Sequence, residues 1–487
     1  MKIWFITGSQ HLYGKVTLDK VAEQVKEMVT FLNTSKIIDL EIINKRTVTT
    51  PEEIEKILLD ANYDKECIGI VTWMHTFSPS KMWINGLKQI SKPILHFHTQ
   101  YHKEIPLNDI DMNFMNLNQA AHGDREHGFI YTDMKINRKV IHGYWKDQKT
   151  LERINRWVLL CKGINHSKSL KICRFGDNMR QVAVTEGNKV NAQIKFGWSV
   201  NTWGVGDLVK YVENVTPVEL EEQMSQYKER YNIKTENLSS VEYQAKLNIG
   251  MRKFLEDIGC KAFTDTFEDL HGLDQLPGLA TQNLMFEGYG FGGEGDWKTS
   301  AMVSIFKTME GKDSKGTSFM EDYTYNLCEN SSVLGAHMLE ICPSIALEKA
   351  SIEVHKLGIG GKDAPARLTF PGKIGKAIQV SLIELQGRYR LIANVCDAIP
   401  AVGDMPKLPV ARVMWIPQPS LQEASEAWII AGGAHHTAMT YDVDIETLRD
   451  FCEYFDIEFV LIDNTLNLNS YKRDLELNEL LYKLKSL

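Results

Sequence analysis

The 487-residue sequence has no Cys-x-x-Cys pair, no long apolar run and no basic stripe. Its eight cysteines, at positions 67, 161, 173, 260, 328, 342, 396 and 452, are scattered. That excludes a disulfide framework and a cysteine-built zinc site, and suits free thiols in a reducing cytosol. No window approaches the roughly 18 apolar residues of a membrane span. The opening MKIWFITGS lacks both the apolar core and the small-residue cleavage site of a secretory signal. A formal net charge of -8 argues against a nucleic-acid partner, which would want a basic face. Basic clusters such as Lys45-Arg46 are too short to reverse that. There are no repeats and no low-complexity segments. The expectation is a cytoplasmic protein with neither a nucleic-acid nor a membrane partner.

What is present is ordinary globular texture, 43% hydrophobic and 24% charged. At this length two or three domains are expected. Apolar runs at Lys2–Thr7, Leu40–Ile43, Cys67–Trp73 and Pro93–Phe97 alternate with helical spacing from Leu18 to Leu32 and after Thr50-Pro51-Glu52-Glu53, a capping-box pattern. Strand-helix repetition predicts an N-terminal doubly wound parallel sheet of flavodoxin-like type over residues 1–170. A second α/β domain is expected over 171–316, with helices at Val218–Tyr231 and Val241–Gly259, a strand at Gln181–Thr185 and a loop at Asn232–Ser240. From 317 to 487 strand-like runs dominate, including Arg367–Phe370, Ile378–Leu385, Tyr389–Val395, Ala411–Ile416 and Trp428–Ala431. A β-rich, barrel-like third domain follows from them, closing on a helix (Ile445–Phe455) and a strand (Glu458–Ile462).

Ligands of such sheets sit beyond the carboxyl ends of the strands. Those ends carry Ser9-Gln10-His11, His75-Thr76-Phe77 and His98-Thr99-Gln100, uncharged hydrogen-bonding groups suited to a polyhydroxylated ligand or simply to capping the following helices. No Gly-x-Gly-x-x-Gly follows the first strand, so a dinucleotide is not expected. Four later segments set charged and imidazole groups among glycines or apolar residues: YGFGGEGDWKT with Glu294 and Asp296, TSFMEDYTY with Glu321 and Asp322, GAHMLEICPS with His337, and AGGAHHT with His435 and His436. Each has an ordinary reading: a solvated turn, a helix start at Glu321, a hydrogen-bonded core histidine. Two imidazoles after an apolar run and a glycine pair are costly to bury unless something binds them. Two carboxylates and two imidazoles without thiolate suit Mn²⁺, Co²⁺ or another borderline divalent ion. Their spacings of 27, 16 and 99 residues form no local metal motif.

The chain resembles bacterial L-arabinose isomerases nearly end to end. The resemblance is carried by GSQHLYG, HTFSPSKMWINGL, FHTQ, DMNFMNLNQAAHG, RFGDNMR, FTDTFEDLHGLDQLPGLA, GEGDWKT, GTSFMEDYTY, KLGIGGKDAPARL and SEAWIIAGGAHHT, in the family's order. It implies that Glu294, Glu321, His337 and His436 hold one divalent metal per subunit, usually Mn²⁺, with Glu294 and Glu321 moving hydrogen. It implies substrate contacts from Gln10, Leu12, Phe77, Gln119, Met179, Phe267 and Tyr323, and a homo-hexamer in which His122 reaches a neighbour's pocket. His435 matches a position tied to activity without being a ligand.

The reaction implied converts L-arabinose to L-ribulose in arabinose catabolism, and also D-galactose to D-tagatose. One hydrogen shifts between C1 and C2 and one between their oxygens, through an enediol or as a hydride; the residues leave both routes open. Isomerisation of another sugar such as L-fucose, and non-catalytic sugar binding, are the competing readings.

Overall fold

A computed structural model describes residues 1–358, 360–401, 403 and 405–485. Ile359, inside the KLGIGGKDAPARL segment, lies outside the described residues. The described chain falls into two units, residues 1–165 and 166–487.

In the first unit β1 (Lys2–Thr7), β2 (Ile42–Asn44), β3 (Cys67–Trp73), β4 (Ile94–His98) and β5 (Lys139–His142) form a parallel sheet in the order β2-β1-β3-β4-β5. This is the flavodoxin-like order expected of the sequence. Every residue of β3 is buried, because helices cover both faces of such a sheet and apolar runs therefore need not alternate. Helix Gly14–Thr34 buries the stripe Val21, Val25, Met28, Val29 and Leu32. Helix Pro51–Tyr63 starts at Thr50, whose hydroxyl accepts from Glu53 N at 3.3 Å. The Glu53 carboxylate turns back to Thr49 N (2.9 Å), one residue before the cap.

In the second unit β6 (Lys171–Phe175), β7 (Ser199–Trp203), β8 (Asn232–Ile233), β9 (Ala262–Asp265) and β10 (Gly290–Gly292) come first. All but β8 join a parallel sheet ordered β10-β9-β6-β7. Then follow β11 (Thr317–Asn326), β12 (Ser332–Ala336), β13 (Ser351–Val354), β14 (Ala366–Thr369), β15 (Gly375–Leu385), β16 (Arg388–Ile399), β17 (Arg412–Pro417), β18 (His436–Thr440) and β19 (Glu458–Ile462). Strands β15-β18-β11-β12-β17-β16 run antiparallel, and β16 pairs back to β15, closing a six-stranded barrel. Closure leaves none of these strands an unpaired edge. β19 adds to β16 in parallel, and β14-β13-β8 make a small separate sheet.

Helix Trp297–Met309 is buried almost all round and packs against both the parallel sheet and the barrel. Its start is therefore held from two sides.

Three local expectations change. Trp428–Ala431 is not a strand but the end of helix Leu421–Ala431, capped by the Ser420 hydroxyl and stopped by Gly432 at φ 82°. Its buried Leu421, Ala424, Ala427 and Ala431 follow helical spacing, and the short apolar run WIIA alone does not show it. Gln181–Thr185 contains only a single turn at Ala183–Thr185. Asn232–Ser240 is not all loop: β8 pairs with β13, and Asn237 caps a helix beginning at Leu238.

Candidate metal centre

The Gly-rich segment after β10 makes a tight passage into helix Trp297–Met309. Glu294 has φ 59° and Gly295 φ 81°. A left-handed backbone at Glu294 is unusual for a residue with a side chain and marks a functional loop. Gly293 lets the backbone pass close to the cluster, since a Cβ there would lie 3.3 Å from the His337 ring. Asp296 then caps the helix, accepting from Lys298 N (3.2 Å), Thr299 N (3.1 Å) and Thr299 Oγ1 (2.7 Å).

The barrel supplies the rest. Glu321 on β11 lies in register with His436 on β18 and with Ala336 on β12, and His337 follows Ala336 directly. Strand register thus brings to one level residues more than a hundred positions apart. The reading of Glu321 as a helix start gives way to a strand, because β11 is flanked on both sides. Phe319, two residues before Glu321 and so on the same face, sets its ring 4.9 Å from that of His337 and 5.0 Å from that of His436.

One ligand atom from each of Glu294, His337 and His436 lies within 4.8 Å of the others. Glu321 Oε2 stands 3.9 Å from His337 Nε2. His436 is fully buried, and neither of its ring nitrogens makes a hydrogen bond. Its Nε2 is 4.0 Å from Glu294 Oε2, and its Nδ1 faces Asp296 Oδ2 at 3.4 Å. His435 Nε2 approaches Glu294 Oε2 at 3.4 Å. His337 Nδ1 is held at 2.5 Å by Glu340 Oε2, which also accepts from Leu339 N.

The electrostatics follow from these contacts. The hydrogen bond from His435, aided by His436, holds the Glu294 carboxyl below the usual carboxylate range against the opposing pull of burial. Burial pushes His436 down in spite of Asp296, keeping its ring neutral and its nitrogens available. Burial acts the same way on His337, but the charge and hydrogen bond of Glu340, with Glu321 and Glu294, outweigh it and push His337 up to about 9. The cluster is a buried surplus of negative charge.

These residues fit a divalent cation. The donors are carboxylate oxygen and imidazole nitrogen without thiolate, a set suited to borderline divalent ions. A buried imidazole with no hydrogen bond is costly unless a ligand takes its lone pair. The Glu340–His337 contact leaves Nε2 facing the cluster, as a carboxylate behind a metal-bound histidine does.

A cavity of about 210 Å³ opens beside the cluster, with Glu294, Glu321 and His337 in its wall. Met179, Phe267 and Tyr323 line it as well. In the first unit Gln10 and Leu12 lie at the turn after β1, and Phe77 beyond β3. Gln119 N bonds His75 O at 3.0 Å, and the His122 and Phe77 rings are 4.9 Å apart. Phe77, Gln119 and His122 are thus gathered at the carboxyl ends of that sheet. Sequence reasoning missed Glu340 and Asp265. Glu340 was detectable as a carboxylate three residues after His337; Asp265 ends β9 and lines the cavity.

Models of the L-arabinose isomerase N-terminal, central and C-terminal domains match residues 1–169, 171–312 and 316–458. An L-arabinose isomerase of Geobacillus stearothermophilus is 52% identical over 99% of this chain and 98% of its own. That of Thermotoga neapolitana is 51% identical, with the same coverage of both chains. That of Halalkalibacterium halodurans is 52% identical over 98% of this chain and 97% of its own.

Proposed function

This chain belongs to the L-arabinose isomerase family, and from that premise we propose that it converts L-arabinose to L-ribulose, and D-galactose to D-tagatose, in cytoplasmic arabinose catabolism. The observation that carries the reading is the Glu294–His337–His436 cluster around a fully buried His436, with Glu321 beside it, opening on a cavity wide enough for part of a sugar.

We assign Glu294, Glu321, His337 and His436 as ligands of one divalent ion per subunit, Mn²⁺ before Co²⁺. When bound, such an ion supplies Lewis acidity to neighbouring sugar oxygens and stabilises negative charge developing there. Glu294, kept anionic by His435, is the acceptor for hydrogen leaving a sugar carbon. Glu321, held by barrel pairing on both sides, serves as its counterpart. His435 orients Glu294 and is not itself a ligand. Phe267, Met179 and Tyr323 exclude water from the reacting carbons. Gln10, Leu12, Phe77 and Gln119 contact substrate, and His122 reaches the pocket of a neighbouring subunit in a homo-hexamer, so that the site lies between subunits. Leu12, 82% exposed, supports this, since it needs a second surface to close over any sugar it touches.

The test is direct. Purified protein is incubated with L-arabinose, with and without Mn²⁺, and L-ribulose is measured. Chelation is expected to abolish turnover and Mn²⁺ to restore it; full activity after exhaustive chelation overturns the catalytic metal. Mixing inactive His122→Ala and Glu294→Gln subunits is expected to recover part of the activity. No recovery despite confirmed exchange overturns the shared site.

A further inference from the structure

Of the acidic groups in and beside the cavity wall, Asp265 alone has neither a hydrogen bond nor an ion pair to its carboxylate among the described residues, since Glu321 at least faces His337 Nε2 at 3.9 Å. Glu294 takes His435, Glu340 takes His337 and Leu339 N, and Asp296 caps a helix. Asp265 lines the same cavity from the carboxyl end of β9 and is only 7% exposed. Its backbone oxygen accepts from Gly295 N at 3.0 Å, which ties it to the Glu294 loop. Among the described residues its carboxylate accepts no hydrogen bond and forms no ion pair, even with His337 across the cavity. It also stands outside the cluster that could grip an ion.

A largely buried carboxylate without a donor is unfavourable, and the usual remedy is a partner. The burial pushes Asp265 up to about 7, with Glu340 adding to it. A partner can reach it from the cavity, which Asp265 lines at the carboxyl end of β9.

Resting on the isomerase reading above, we propose that Asp265 is a specificity residue, accepting a hydrogen bond from a sugar hydroxyl beyond the two oxygens at the reacting carbons. A site built around such an acceptor rejects a sugar lacking that hydroxyl, because the carboxylate is then left buried and unpaired. It reads the configuration of the sugar, whereas the metal cluster reads only the reacting end.

The test compares kcat/KM of wild type and Asp265→Ala on L-arabinose and on its 3-, 4- and 5-deoxy analogues. The substitution is expected to lower kcat/KM for L-arabinose by at least about tenfold, yet leave one deoxy analogue used equally well by both proteins. Mn²⁺ affinity, measured by calorimetry without sugar, is expected to stay unchanged. An equal loss on every substrate, or a loss of Mn²⁺ binding, overturns the proposal. Asp265→Leu, close in shape but without an acceptor, gives the same comparison if the alanine variant does not fold. Should wild type fail to convert L-arabinose, the isomerase reading falls by itself, and L-arabinitol decides this one. Weaker L-arabinitol binding by Mn²⁺-loaded Asp265→Leu supports it; equal binding, or none to wild type, overturns it.

Discussion

Two clusters of histidine and carboxylate lie in this molecule, one in each unit, and they differ in what their side chains leave unmet. In the first unit Asp124, 3% exposed, receives His96 Nε2 at 2.9 Å on one oxygen and His98 Nδ1 at 2.7 Å on the other, with Met74 N at 3.3 Å. His127 packs against His96 and Tyr131 and reaches Ser80. Each of these histidines has one ring nitrogen engaged, although His96 Nδ1 and His127 Nε2 have no partner, and the shared carboxylate is filled on both oxygens. In the second unit His436 is as deeply buried with neither nitrogen engaged, and His337 turns its free nitrogen toward Glu294 and Glu321. The same residue types make a cluster paired around a filled carboxylate in one place and, at His436, an imidazole with neither nitrogen engaged in the other. Residue inventory does not separate a site from a core; an imidazole with neither nitrogen engaged does.

The largest effects fall on the cluster of the second unit. Glu294→Gln and Glu321→Gln are each expected to lower turnover about a hundredfold or more while the fold is kept. Steady-state rates with L-arabinose, alongside circular dichroism, check this; wild-type turnover in either variant ends the assignment. The next effect lies one contact further out. Glu340→Gln removes the carboxylate behind His337, and Mn²⁺ affinity is expected to fall about 10- to 100-fold. Titration calorimetry reads it, and unchanged affinity would mean that Glu340 serves folding alone.

The contrast also explains what could be read before any coordinates. The first sheet was legible because buried parallel strands keep apolar runs such as Cys67–Trp73 and their helices carry caps such as Thr50. The barrel was legible as a class because its strands crowd together after residue 317. Trp428–Ala431 misled because four apolar residues fit a buried helix as well as a strand, and only Ser420 and Gly432 reveal the helix. The metal cluster was beyond local pattern altogether. Glu321 meets His436 through antiparallel register, and Glu294 joins them from a different sheet, so family resemblance, not spacing, brought the four together. Asp265 escaped notice because an aspartate ending a strand looks like any turn residue until its missing partners can be seen.

The smallest expected effect tests the paired cluster and completes the contrast. Asp124→Asn keeps size and shape but removes the charge that draws in His96 and His98, and an amide offers one acceptor oxygen where the carboxylate offers two. One imidazole must then either change tautomer to accept from the amide NH2 or lose its contact in a buried setting, a cost of up to about 1–3 kcal/mol. The expected result is a lower midpoint of unfolding by scanning calorimetry, with Mn²⁺ affinity as in the wild type. If Asp124→Asn instead weakened Mn²⁺ binding as much as Glu340→Gln does, the two clusters would not be distinct kinds. The rule that separates them, counting engaged nitrogens around each buried imidazole, would then lose its physical basis.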